Sequence, residues 1–113
     1  MGSYVILVHD RDEDGWERKS EAEKAATYAR DEEFAARLAE RGHRITGGSE
    51  LTHSRETRVV RRKQKPTLGP FAETVEQLTG FYLVDSEDLD DLLEITQILA
   101  RDGDPVVVRP VAG

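Results

Sequence analysis

Three histidines, a carboxylate-bearing loop and one run of bases are the side chains of this 113-residue chain that could do chemistry. His9-Asp10 follows an apolar run, Tyr4 to Val8. An imidazole titrates near neutrality, so at the rim of a cleft it can serve as general acid or base. Asp10 is poorly placed to orient it, because neighbours along a strand point to opposite faces. The plainer reading, and the preferred one, is an exposed histidine at the start of a loop. The stretch 67–76 offers Thr67, Glu73, Thr74 and Glu76 beside Phe71. These hydroxyls and carboxylates suit a ligand-facing loop, and Glu73 or Glu76 would act as a base if burial raised its pKa. The alternative is a turn that only fixes the path of the chain. In either case Phe71 is expected to be buried and to anchor the segment. Tyr82 and Trp16 are further ligand-contact candidates; the preferred reading places Tyr82 in the core or at a subunit junction and makes Trp16 a loop anchor.

His43 follows a helix stop and His53 sits at a turn, so the three histidines have no metal-binding spacing. The chain has no Cys, which removes thiolate ligands, a Cys nucleophile and disulfides. No metal or cofactor is expected. Arg55, Arg58, Arg61, Arg62, Lys63 and Lys65 face a single acid, Glu56, within eleven residues. Such a ribbon could meet phosphates, but no aromatic is interleaved to stack on bases. A solvated edge, or a counterweight to the acidic second half of the chain, is the preferred reading. Net charge is −7. Residues 1–65 carry 14 bases and 13 acids, and residues 66–113 carry 2 bases and 10 acids. An acidic chain is a poor general binder of nucleic acid or anionic membrane.

The elements that must position these groups follow from the patterning. The length indicates one domain over residues 1–113, with charged residues at 35% and hydrophobic ones at 37%, a globular balance. Tyr4–Val8 and Gly80–Asp85 are apolar on both faces and read as covered strands. Residues 9–19 read as a loop broken at Gly15. Ser20 and Glu23 have capping-box spacing for a helix ending near Arg41 before Gly42, with Tyr28, Ala35, Leu38 and Ala39 on its buried face. Residues 45–52, irregular at Gly47-Gly48, are expected to form a hairpin with 57–62 through 53–56. After a long segment, 63–79, comes a second helix over 88–101 with Leu89, Leu92, Leu93, Ile98 and Leu99 facing the core. Residues 105–111 form the last strand. The order is βαββαβ with an elaborated central hairpin and loop, an α+β ferredoxin-like plan.

Gly69-Pro70-Phe71-Ala72-Glu73-Thr74, then Glu76-Gln77-Leu78 and Gly80-Phe81-Tyr82-Leu83-Val84, resembles the signature of the DGPF proteins of the YCII-related family. Val106 to Val111 and Gly47-Gly48 with Glu50-Leu51 are similar to that family as well. The resemblance implies a ferredoxin-like domain that pairs into a dimeric αβ barrel. Leu68 stands where the motif has Asp, so an acidic role there does not carry over. Members credited with acid/base chemistry use a His–Asp pair whose His lies toward the first helix. Residues 20–41 contain no His, and the pair is not carried over either.

Two helices in right-handed crossovers cover one face of a sheet and leave the other apolar face bare, which predicts a homodimer without recourse to the family. The expected protein is therefore a dimer with a small-molecule pocket and no assigned reaction. The alternatives are a lyase or isomerase acting on a small organic acid through His9 or a loop carboxylate, and a module that works with a sigma-factor regulator. No apolar run approaches a membrane span and the N-terminus lacks signal-peptide features, so a soluble cytoplasmic protein is expected.

Overall fold

The computed structural model describes residues 2–71 and 76–113. Strand β1 is Gly2–Asp10, α1 is Glu13–Arg18, α2 is Glu21–Glu40 and β2 is Arg44–Glu50. A 3-10 turn, Ser54–Glu56, precedes two short strands, β3 (Arg58–Val59) and β4 (Thr67–Leu68). Then come β5 (Gln77–Ser86), α3 (Leu89–Thr96) and β6 (Val106–Pro110). The main sheet is antiparallel in the order β2-β5-β1-β6. The two strands that read as apolar on both faces, β1 and β5, occupy its centre.

Ile6 and Val84 from the sheet, Phe34 and Leu38 from α2, and Leu92, Ile95 and Leu99 on and just after α3 form the buried core. Tyr4, Val8, Tyr82, Val106 and Val108 pack around it. The alternating residues point the other way. Cross-strand pairing aligns Leu83 with Val5, and Phe81 with Leu7 and Val107, on the face without α2 and α3. The smallest dimension of the molecule, 19 Å, is that of one sheet and one helical layer. Its accessible surface is 7847 Å², against roughly 6,200 Å² for a compact monomer of this mass.

Several local expectations are corrected. Residues 13–18 form a helix rather than a loop. The Asp12 carboxylate accepts the Gly15 N–H at 2.9 Å. A Cβ on Gly15 would lie 2.0 Å from that carboxylate, so the glycine read as a breaker makes room for the cap. In α2 the Ser20–Glu23 capping box is present, at 3.1 Å in both directions, but the buried stripe runs through Phe34 and Leu38 while Tyr28 is exposed. Residues 57–62 do not pair with β2. The His53 Nδ1 accepts the Arg55 N–H and the Glu13 carboxylate accepts the Ser54 N–H, which turns the chain away from the sheet. Arg58–Val59 instead pairs with Thr67–Leu68 in a separate two-stranded ribbon. β2 pairs with β5 through the expected irregularity, a register shift between Ile45 and Gly47. A Cβ on Gly48, at φ 148°, would approach the Phe81 carbonyl oxygen to 2.5 Å, so this close strand approach requires glycine.

The second helix is shorter than expected. The Thr96 hydroxyl donates back to the Leu92 carbonyl at 2.7 Å, and beyond it the bonds tighten to i→i−3. Leu89 and Leu93 are exposed rather than in the core. Phe71, expected as a buried anchor, is 77% exposed. The Arg61 guanidinium lies 5.7 Å from its ring centre. Among the described residues no helix is long and apolar enough to cross a membrane.

Candidate functional site

The C-terminal end of β1 opens into a cleft of about 1110 Å³ between α1, α2 and the ends of β2 and β5. His9, Trp16, Tyr28, Arg30, Asp31 and Tyr82 contribute to its wall. Their placement follows from helix period: Thr27, Asp31, Phe34 and Leu38 are spaced i, i+4, i+7, i+11, so Asp31 shares the stripe that Phe34 and Leu38 bury. Trp16 stands edge-on to Tyr28, ring centres 5.6 Å apart. The Tyr28 hydroxyl donates to Glu50 at 3.1 Å. Tyr82 packs at 5.1 Å against Phe34.

Two atoms of this wall stand out. His9 Nδ1 and Arg30 Nε are buried and have no hydrogen-bond partner among the described residues. Most buried polar atoms in folded proteins are bonded, so two orphans in one cleft mark it as polar ground suited to a ligand. The other guanidinium nitrogens of Arg30 are engaged, with Asp31 at 3.2 Å and Asp102 at 3.3 Å. Burial pushes the Asp31 carboxyl above the ordinary aspartate value, and the Arg30 charge only partly opposes it. Burial likewise raises the Tyr82 phenol. The Tyr28 phenol is raised by partial removal from water and by its bond to Glu50.

The sequence-derived candidates separate. His9 and Tyr82 reach the cleft. Thr67 is exposed on the β3–β4 ribbon, where its hydroxyl accepts from Arg61 at 3.3 Å. Phe71 and Glu76 are exposed and not part of the wall. Glu73 and Thr74 lie outside the described residues. Trp16, named with Tyr82 as a ligand-contact candidate, also lines the cleft; Arg30 and Asp31 were missed as wall residues, although the stripe through Phe34 and Leu38 would have found Asp31.

At the mouth, His53 Nε2 bonds the Asp14 carboxylate at 2.9 Å. The Arg55 guanidinium donates to Glu17 at 2.9 Å. Ligand atoms of Asp14, Glu17 and His53 lie within 4.8 Å of one another, a grouping the sequence separation conceals. Arg55 already supplies the positive charge there. The His53 bond holds the Asp14 carboxyl below its ordinary range, and the Arg55 bond does the same for Glu17.

His43, given no role by the sequence, is buried. Its Nδ1 lies 2.8 Å from the Ser86 hydroxyl and its Nε2 lies 2.7 Å from the Asp91 carboxylate. Asp91 also accepts from Arg41 at 2.7 Å. The imidazole thereby joins the start of β2 to the end of β5 and the first turn of α3, on the side of the sheet that carries the core. It is structural, not part of the cleft.

Comparison with known proteins gives two findings. The family model for the YCII-related domain matches residues 3–107. An uncharacterized protein of Rhizobium meliloti (strain 1021) is 54% identical over 33 residues, 29% of this chain. The match spans 27% of that relative's own length.

Proposed function

The chain belongs to the YCII-related domain family, and from that premise we propose that it is a homodimeric binding protein of the ferredoxin-like, αβ-barrel type that takes a small organic molecule in the β1–α2 cleft. The observation that carries the reading is the pair of buried, unbonded atoms, His9 Nδ1 and Arg30 Nε, in one wall. Both atoms are closed to water, so a ligand would reach them through a side-chain rotation: an acceptor group would then satisfy Arg30, and a donor or acceptor, according to the tautomer, would satisfy His9. Trp16, Tyr28 and Tyr82 would supply apolar contact. Pairing is supported by the bare sheet face of Val5, Leu7, Phe81, Leu83 and Val107 and by the surplus accessible surface. A second copy placed there by a two-fold axis would cover the same patch on both subunits.

A lyase or isomerase reading has one specific support, the Asp31 carboxyl raised by burial in the same wall. A carboxyl and an imidazole in one wall, Asp31 and His9, are the side-chain types that general acid–base chemistry on a small organic acid uses. Binding is the premise of both readings.

Thermal melts across a panel of small carboxylates, amides and phenols test it. A true ligand at 100 times its Kd adds about 2.7 kcal/mol of stability, and His9→Leu and Arg30→Met should each abolish the shift while leaving the circular dichroism spectrum intact. A panel without effect, or a shift that survives in both variants, would remove the cleft as the binding site. Sedimentation should report about twice the 12.7 kDa chain mass.

A further inference from the structure

The β3–β4 ribbon, residues 57–71, carries Arg58, Arg61, Arg62, Lys63 and Lys65 and no acid. Among the described residues none of these five pairs with a carboxylate. Arg58 donates to the Glu56 carbonyl and Arg61 to the Thr67 hydroxyl. The ribbon also exposes large apolar side chains: Val60 at 76%, Leu68 at 68% and Phe71 at 77%. It is hydrogen-bonded to itself, outside the main sheet. The radius of gyration, 15.6 Å, exceeds the roughly 13 Å of a compact chain of this length. An unpaired basic ribbon edged with exposed apolar groups has the composition of an interaction surface.

The same chain presents the complement. On α3, Leu89 and Leu93 are exposed at 38% and 42%. They lie one turn apart and so share a face. Exposed Glu87, Asp90 and Glu94 flank them. Taking the ribbon's five positive charges from the chain's −7 leaves −12 on the remainder. That excess repels nucleic acid and draws a basic ribbon toward another copy.

We propose that the β3–β4 ribbon docks on α3 of a second copy of this chain, with Val60, Leu68 and Phe71 against Leu89 and Leu93 and the five bases against Glu87, Asp90 and Glu94. A two-fold axis makes the exchange reciprocal, so each pair of chains gains two such contacts. The contact is separate from the bare sheet face and adds to it.

Cysteine-free sequence makes the test direct. Chains carrying Leu68→Cys and chains carrying Leu93→Cys are co-expressed and treated with a short bismaleimide. The expected product is a mixed cross-link of about twice the 12.7 kDa chain mass. Its yield should fall about tenfold with Arg58→Glu/Arg61→Glu/Arg62→Glu or with Glu87→Lys/Asp90→Lys/Glu94→Lys, and recover when both sets are combined. Molar salt should suppress it, because exposed charges are screened within about 3 Å at that strength. Absence of the mixed cross-link in folded chains overturns the proposal. So does a cross-link indifferent to both charge reversals, or a ribbon that shifts duplex DNA in a gel while forming no cross-link. Val107→Lys in a chain that also carries Arg58→Glu/Arg61→Glu/Arg62→Glu probes the sheet face independently: with the ribbon contact removed, an unchanged sedimenting mass means that the sheet-face pairing fails, while the cross-link still decides the ribbon.

Discussion

Replacing His43 by Ala should cost about 3 kcal/mol, and the structure says where the loss arises. Ser86 keeps its own bonds, because its hydroxyl donates to the Asp88 carbonyl and accepts the Asp88 N–H, both at 3.1 Å. Asp91 keeps Arg41 but loses the imidazole. A hydrogen bond to a charged group is worth about 1.5–3 kcal/mol net. Removing a buried ring adds packing loss of order 1 kcal/mol. With an unfolding entropy of about 2.1 cal/mol/K per residue, 3 kcal/mol lowers the melting temperature by about 13 °C. The assay is calorimetry at fixed protein concentration, since self-association would shift the transition. A double-mutant cycle with Asp91→Asn isolates the pair, and its coupling energy should exceed about 1 kcal/mol. A His43→Ala protein that melts within about 2 °C of the parent, or a coupling energy near zero, would refute the assignment of His43 as the link between sheet and α3.

Phe34→Ala should cost about 3–5 kcal/mol in urea unfolding, because the ring is fully buried in the core; a loss below about 1 kcal/mol would mean that the core stripe of α2 lies elsewhere. Asp31→Asn should change the pH dependence of stability with a defined sign. The folded chain raises the Asp31 pKa above 3.8, so its contribution is fully present below the unfolded value and is lost as pH rises through the folded one. Relative to the parent, the Asn variant should therefore gain stability between that acid range and neutrality. The lowered Asp85, bonded by Ser3 and Arg44, works in the opposite sense and loses its contribution as pH falls. An unchanged difference between parent and Asn variant across this range would show that Asp31 is not desolvated.

The central pairing of β1 with β5 was legible because runs such as Tyr4–Val8 must be covered on both sides. The start of α2 was legible because a Ser–Glu spacing encodes two reciprocal hydrogen bonds. Other features were set by contacts distant in sequence. Gly15 reads as a breaker until Asp12 is seen to need its space. Residues 57–62 have strand propensity, but the bonds from Glu13 and His53 redirect the chain before they can pair with β2. For the cleft, His9 and Tyr82 could be named from their places on strands. Arg30 and Asp31 could not be named without the correct buried stripe of α2. Phe71 illustrates the limit of composition: a large apolar residue in a long loop was expected to be inside, and it lies on the surface.

Register also sets a timetable for synthesis. Tyr4 pairs with Pro110 and Gly2 with Ser86, so the central strand leaves the ribosome first and its neighbours last. At about 5–20 residues per second, β1 waits on the order of 5–20 s for β6. Until β5 follows, about 70 residues behind β1, Val5, Ile6 and Leu7 have no central partner, and α2 can form only as an isolated helix. Nascent chains of this protein should therefore depend on a holding chaperone at the exit tunnel more than chains whose first strand closes a local hairpin.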